Sequence, residues 1–316
     1  MRSELNIGTR GSQLALFQAN WVKDELSRTY PDLNVRLVKI KTTGDKIQDA
    51  PLAKIGGKGL FVKEIEEALL QKRIDLAVHS IKDVPTEFPE GLHLSVITRR
   101  EDPRDVLISK NGRPLRELAQ KAKVGTSSLR RQAQLLHFRD DLELIPLRGN
   151  LDTRLKKLKT TNLDAIVLAL AGVKRLGLEG MITEIISTEV SLPAIGQGAL
   201  GIETRRDDRE VEGRIGFLND RESSIAVTSE RAFLKKLEGG CQVPIAAYAR
   251  TVGNALHIDG LVGTIDGKRL IRHHREGSID RAESLGIELA DLLLSQGAKE
   301  VLDEVYQKTG PLVEIP

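Results

Sequence analysis

Glu143-Leu144-Ile145-Pro146-Leu147, then Asn150-Leu151-Asp152-Thr153-Arg154-Leu155-Lys156-Lys157-Leu158, then Asp164-Ala165-Ile166-Val167-Leu168-Ala169-Leu170. A short apolar run, an amphipathic stretch and a second apolar run follow one another. The outer two read as strands and the middle one as a helix, the unit from which parallel sheets are built. The pattern extends upstream, with a strand over Asp105 to Ser109 and a helix over Ser128 to Leu136. An earlier block has the same rhythm. It begins with a strand-like segment near the N-terminus and a strand over Val35 to Ile40. A helix over Leu60 to Leu70 follows, with Ile65 and Leu69 on one face, and then strands over Asp75 to Val78 and Leu92 to Ile97. Such alternation predicts α/β domains with mostly parallel sheets and helices on both faces. Ligands of such sheets bind at the carboxyl ends of the strands.

A polar break, Arg99-Arg100-Glu101-Asp102-Pro103-Arg104, separates the two blocks, and a Gly/Pro-rich stretch, Leu192 to Gly198, follows the second. A strand over Ala199 to Glu203, a helix ending near Leu218 and a helix over Ser223 to Leu237 come next. Strands near Leu256 to Val262 and Arg269 to His274, with a helix over Arg281 to Leu294, predict a small α+β domain at the end.

Composition narrows the class. Of 316 residues, 40% are apolar but only 3% aromatic, so the cores are aliphatic. No stretch approaches the roughly 20 apolar residues that span a bilayer, and no membrane association is expected. The start of the chain has the features of neither a signal peptide nor a transit presequence. With a single cysteine, the expected compartment is the cytoplasm. Net charge is only +3, from 48 basic and 45 acidic residues, so the distribution of charge matters more than the sum. Arginines gather at Arg99-Arg100, Arg130-Arg131, Arg148 and Arg154, with Arg10 near the start. Their forks match carboxylate or phosphate, although a solvated basic face is the commoner fate of such runs. Scarce aromatics and the lack of any nucleic-acid-binding signature argue against nucleic acid.

Several segments have the residue types for chemistry. The cysteine sits in Leu237-Glu238-Gly239-Gly240-Cys241-Gln242-Val243-Pro244. One cysteine forms no intrachain disulfide and no zinc cage by itself, leaving a buried structural thiol or a reactive one. Asp75 to Pro85 is a strand ending in His79-Ser80-Ile81-Lys82-Asp83. A His79/Ser80/Asp83 triad is rejected, because neighbours on a strand point to opposite faces and no nucleophile elbow is present. A carboxylate among cations can still stabilise a developing cation and move a proton. The glycine loop Lys54 to Phe61 lacks P-loop spacing, yet its amides and Lys58 can hold a carboxylate. At Val124 to Arg131 and Leu147 to Arg154, hydroxyls and arginines open two helices that follow strands, an arrangement suited to anions.

Taken in order, Thr9 to Ser12, Lys54 to Phe61, His79 to Pro85, Arg100 to Asp105, Gly125 to Arg131, Arg148 to Asn150, Ala194 to Gly201 and Leu237 to Pro244 resemble the porphobilinogen deaminase (hydroxymethylbilane synthase) family over essentially the whole chain. The resemblance implies two doubly wound α/β domains like type II periplasmic binding proteins, plus a small α+β C-terminal domain. The boundaries are 1–98 with 199–216, 104–192 and 221–312. It implies a dipyrromethane cofactor held through a thioether to Cys241. Four porphobilinogens are joined to it with loss of ammonia, and hydrolysis releases hydroxymethylbilane for tetrapyrrole biosynthesis. Asp83 matches the catalytic aspartate, facing a cationic azafulvene. Cofactor contacts carry over to Lys58, Ser80, Lys82, Asp45, Ser127, Ser128, Arg130 and Arg131. Substrate contacts carry over to Arg10, Gln18, Arg148, Arg154, Arg175 and Lys54. Most of these would hold acetate and propionate groups, with Asp45 and Gln18 touching polar edges or nearby lysines. No metal is implied. The expected protein is a monomer that passes its product to uroporphyrinogen-III synthase. The competing class is a small-anion-binding or sensing protein on the same architecture; it would need neither Cys241 nor Asp83.

Overall fold

The computed structural model describes residues 2–46, 61–238 and 243–309. In chain order the elements are β1 (Glu4–Thr9), α1 (Gln13–Thr29), β2 (Asn34–Lys39), α2 (Thr43–Lys46), α3 (Lys63–Leu70), β3 (Leu76–Ser80) and β4 (Leu92–Ile97). They continue with β5 (Asp105–Ser109), β6 (Lys123–Gly125), α4 (Leu129–Phe138), β7 (Glu143–Ile145), α5 (Leu151–Thr160), β8 (Ala165–Ala169), α6 (Leu170–Arg175) and β9 (Glu184–Ile185). Then come β10 (Leu200–Arg205), α7 (Arg209–Ile215), α8 (Arg221–Lys236), β11 (Ile245–Val252), β12 (Ala255–Gly263), β13 (Leu270–Ser278), α9 (Ala282–Ser295) and α10 (Ala298–Thr309). The chain forms two compact units. Among the described residues the first contains 2–46, 61–101 and 199–224, and the second 102–198, 225–238 and 243–309.

The first unit is built on a sheet of order β2-β1-β3-β10-β4. Strand β1 runs parallel to β2 and β3, and β10 runs antiparallel to β3 and β4. Alternate residues of β3 show why both faces are covered. Leu76 and Val78 join a core with Ala19, Val22 and Leu26 of α1 and Val211 and Ile215 of α7. Ala77, between them, joins Ile65, Ala68 and Leu69 of α3.

The second unit repeats the design with a sheet of order β7-β6-β8-β5-β9, in which β5 is the antiparallel strand. Ile166 and Leu168 of β8 pack with Leu155 and Leu158 of α5. Ala165 and Val167 pack with Leu135 of α4. The same unit contains an antiparallel meander, β11-β12-β13. Phe233 of α8, Leu285, Leu289 and Leu293 of α9, and Val301 and Val305 of α10 share one core with it. The expected mixed α/β architecture with a small separate sheet is therefore present. Helix starts agree with the sequence where caps mark them: Ser128 accepts from Arg131 N and Asn150 from Thr153 N.

One polar cluster lies on the α3 face of the first sheet. His79 Nε2 is 2.9 Å from Glu203 Oε2, both buried, and Glu203 Oε1 has no partner among the described residues. Glu66 of α3 is 8% exposed. Burial, then Glu203, push its carboxyl up to about 7 against the opposing pull of His79, with Glu67 adding to the rise. Arg205, on the same strand as Glu203, is committed to Leu69 O, Ile74 O and Asp208. Glu66 is thus an acid that folds neutral and, when unfolded, loses its proton near its ordinary value. Its folded form is penalised increasingly as pH rises from the usual glutamate range through about 7. Glu66→Gln should remove that penalty. Chemical denaturation should show the variant more stable than wild type at pH 8, by up to about 3 kcal/mol, with the gap closing towards pH 5. An equal gap at both pH values would rule out this origin.

Candidate active site

Strand β3 of the first unit ends at Ser80 and enters a 3-10 turn, Ile81–Asp83. Ile81 anchors it: its N–H donates to Ala199 O at 3.2 Å, and its side chain is 1% exposed. A Cβ on Gly201 of β10 would come within 2.6 Å of that side chain, so glycine is what lets the two strands close there. With Ile81 turned inward, Asp83 is exposed, and among the described residues its carboxylate has no hydrogen-bond or ion-pair partner. It lines a pocket with Arg10, Gln18, Phe61, His79 and Ser80.

The neighbours of Asp83 are fixed by each other. Gln18 Nε2, from α1, donates to Ser80 Oγ at 2.9 Å, whereas His79 turns to Glu203. Adjacent strand residues therefore engage different partners, as the rejection of a triad requires. Arg10 lies over the Phe61 ring, 4.3 Å from its centroid, and forks onto Asp45. Thr42 Oγ1 also donates to Asp45, at 2.8 Å. Burial raises the Asp45 carboxyl, but Arg10 and Thr42 outweigh it and hold it below the ordinary carboxylate value. Among the described residues Asp45 thus meets Arg10 and Thr42. Lys82 lies half-buried on the turn. Lys54, Lys58 and Cys241 lie outside the described residues.

The second unit brings two strand-to-helix junctions side by side, because β6 and β7 are parallel neighbours. Thr126 N donates to Ile145 O at 2.9 Å, and Ser127 Oγ to Leu147 O at 3.0 Å. Between Arg148 and the cap Asn150, Gly149 has φ +111°, and a Cβ there would meet Thr153 at 2.6 Å. That turn sets the direction of Arg148. Its Nη1 is buried and has no partner among the described residues, and burial lowers its basicity. Arg154 Nε donates to Gly149 O at 2.9 Å, and Arg175 Nη2 to Gly198 O at 2.6 Å. Arg130 and Arg131 are each 5% exposed and share one carboxylate, Asp105, while the Nε of each has no partner among the described residues. Ser191 and Gln197 also bond Asp105 and lie outside the sequence-derived set. The usable signal was Asp105 itself, a charge set at the head of the apolar run Val106-Leu107-Ile108.

Orphaned donors on three arginines call for acceptors that the chain does not provide among its described residues. A chain of pyrroles bearing acetate and propionate groups has acceptors of that kind, so these residues fit a dipyrromethane.

Comparison with known proteins agrees with the geometry. Residues 5–213 match the family described as porphobilinogen deaminase, dipyromethane cofactor binding domain, and residues 224–295 the porphobilinogen deaminase C-terminal domain. The porphobilinogen deaminase of Citrifermentans bemidjiense is 58% identical over 305 residues, 96% of each chain. That of Trichlorobacter lovleyi is 58% identical over 304 residues, covering 96% of this chain and 97% of its own. That of Geobacter sulfurreducens is 57% identical over 306 residues, covering 97% and 96%. Among solved structures, the periplasmic aliphatic sulphonate binding protein SsuA from Escherichia coli aligns over 75% of this chain and 71% of its own. Its identity is 16% and its TM-score 0.41, so the fold assignment rests on the sheet topologies above. Matched over both of its parts and by relatives nearly as long as itself, the chain belongs to the porphobilinogen deaminase family.

Proposed function

We propose that this chain joins four porphobilinogens head to tail, releasing ammonia at each step and hydroxymethylbilane at the end, with Asp83 as its catalytic carboxylate. It is a transferase of tetrapyrrole biosynthesis, and its cofactor is dipyrromethane. The observation that supports the role of Asp83 is a carboxylate that has no partner among the described residues, at the carboxyl end of β3, in a pocket that has a cation at its rim.

Bound dipyrromethane supplies the pyrrole terminus from which the chain of substrates grows, and Cys241 is the residue proposed to hold it through a thioether. Lys58, Lys82, Arg130, Arg131, Ser127 and Ser128, with Ser80 and Asp45, are proposed to hold that group. Arg148, Arg154, Arg175, Arg10, Gln18 and Lys54 are proposed to hold incoming substrate. When ammonia leaves the aminomethyl group of a substrate, the carbon left behind is cationic. Asp83, uncommitted to any arginine, can stabilise that charge and accept the pyrrole proton released on coupling. Arg10 cannot cancel it, since Asp45 already matches Arg10.

Residues 1–98 with 199–216, 104–192 and 221–312 are proposed as three domains; each has its own sheet, though the latter two cluster in one compact unit. Among the described residues no helix is long and apolar enough to cross a membrane. A cytoplasmic monomer that hands its product to uroporphyrinogen-III synthase is part of this proposal, the compartment supported by the single cysteine.

Asp83→Asn keeps size and removes charge. The turnover number should fall by at least about two orders of magnitude, as for loss of a positioned acid–base group, with substrate binding changed far less. Asp83→Glu should retain measurable, reduced turnover. An Asn variant that elongates the bound chain at near wild-type speed in rapid-mixing experiments would exclude Asp83. Cys241→Ser should fold yet lack the two-pyrrole mass increment of the wild-type protein; an increment mapped to any other residue would overturn the attachment site.

A further inference from the structure

At the head of β5 three charges are buried together. Asp105 is fully buried and its carboxylate is saturated. Oδ2 accepts from Arg130 Nη1 at 2.9 Å and Ser191 Oγ at 3.0 Å. Oδ1 accepts from Arg131 Nη2 at 2.7 Å, Gln197 Nε2 at 2.9 Å and Arg130 Nη2 at 3.3 Å. The remaining terminal nitrogens are also engaged, Arg131 Nη1 on Val167 O at 3.0 Å and Arg130 Nη1 additionally on Leu192 O. Each guanidinium is therefore gripped by its Nη edge, and each keeps an Nε–H without an acceptor among the described residues.

Two guanidiniums and one carboxylate leave the cluster with one surplus positive charge. Buried charge is costly unless balanced. Burial, and then Arg131, depress the basicity of Arg130 against the pull of Asp105. For Asp105, burial raises the carboxyl but the two arginines override it and hold it far below the ordinary range. A second carboxylate would complete the set, and the two idle Nε–H groups mark where its donors wait.

We propose that Asp105 is a positioning residue of the reaction: it fixes both guanidiniums by their Nη edges so that the two Nε–H groups and one uncompensated positive charge are kept for a carboxylate of the pyrrole chain. The proposal rests on the reading of Arg130 and Arg131 as carboxylate-binding residues. It assigns to Asp105 no contact with the ligand. Its action is to prevent the two cations from repelling one another out of place while leaving them under-neutralised. Ser191 sets the angle of the carboxylate, through a hydrogen bond that has no charge of its own.

The test uses the full-length chain produced without its cofactor, as wild type, Asp105→Asn, Ser191→Ala and Arg131→Ala. Two quantities are read per folded molecule. One is the rate at which porphobilinogen produces the two-pyrrole mass increment. The other is the rise in melting temperature caused by malonate, a simple dicarboxylate. Asp105→Asn should slow the increment at least tenfold and abolish the malonate shift. Ser191→Ala, which leaves every charge in place, should slow it severalfold and reduce the shift. A purely structural Asp105 would lower the melting temperature of both variants and leave both quantities at wild-type values, which overturns the proposal. Should Asp105→Asn not fold, Ser191→Ala decides by the same two measurements. Arg131→Ala separates this proposal from its premise. If Arg131→Ala also matches wild type in both quantities, the carboxylate-binding reading itself is wrong. If Arg131→Ala is impaired while the other two variants are not, only the role of Asp105 falls.

Discussion

Two guanidiniums held on a single buried carboxylate are the constraint from which the chemistry of the second unit follows. Two arginines of the first unit, by contrast, each meet a carboxylate. Arg10 forks onto Asp45, and Arg205 is shared between Asp208 and backbone carbonyls. At Asp105 the match stops one short, and Arg148 of the same unit has, among the described residues, no counter-ion to offset its burial. The first unit shows the opposite imbalance at the end of β3, where Asp83 stands without a cation of its own among the described residues. Under the proposed function, cations in excess suit the holding of carboxylates, and a carboxylate in excess suits a developing cationic carbon.

Much of this was legible in the sequence, for identifiable reasons. The strands β5 and β8 and the helices α4 and α5 are fully apolar runs or capped amphipathic stretches, and their ends were found to within a residue or two. Two of the elements outside the sequence-derived assignment, α1 and β11, have a diluted pattern. Helix α1 includes polar Gln18 in its buried stripe because Ser80 awaits it across the interface. Strand β11 is built on Ala246, Ala247 and Ala249, which have little strand preference of their own. Helix α10 has plain helical spacing at Ala298, Val301, Leu302 and Val305, so in its case the signal was there to be used.

The site residues divide along the same line. Asp83, the serines and the arginines sit where strand ends and helix starts must place them, so motif order was enough to nominate them. Which arginine is already neutralised could not be foreseen. Arg10 and Asp45 are 35 positions apart, and Arg131 and Asp105 are 26 apart; only the folded sheets bring them together. The cluster of His79, Glu203 and Glu66 was likewise hidden, since its members come from three separate elements.

The two sheets share one strand order, yet they are completed on different schedules. In the second sheet β5 precedes its partners β8 and β9 in the chain, and all three arrive in one continuous stretch. In the first sheet β4 pairs only with β10, and the whole of residues 102–198 lies between them. A ribosome adding about 5–20 residues per second needs roughly 5–20 s to cross that interval. Until it does, β4 has no neighbour in its sheet, the edge of β3 is unpaired on one side, and Ile81 lacks both the carbonyl of Ala199 and the surface of Gly201. The Ile81–Asp83 turn, encoded early, is therefore among the last parts of its unit to be set in place. During synthesis the growing chain has to keep an open strand edge from other chains for longer than its length alone would require.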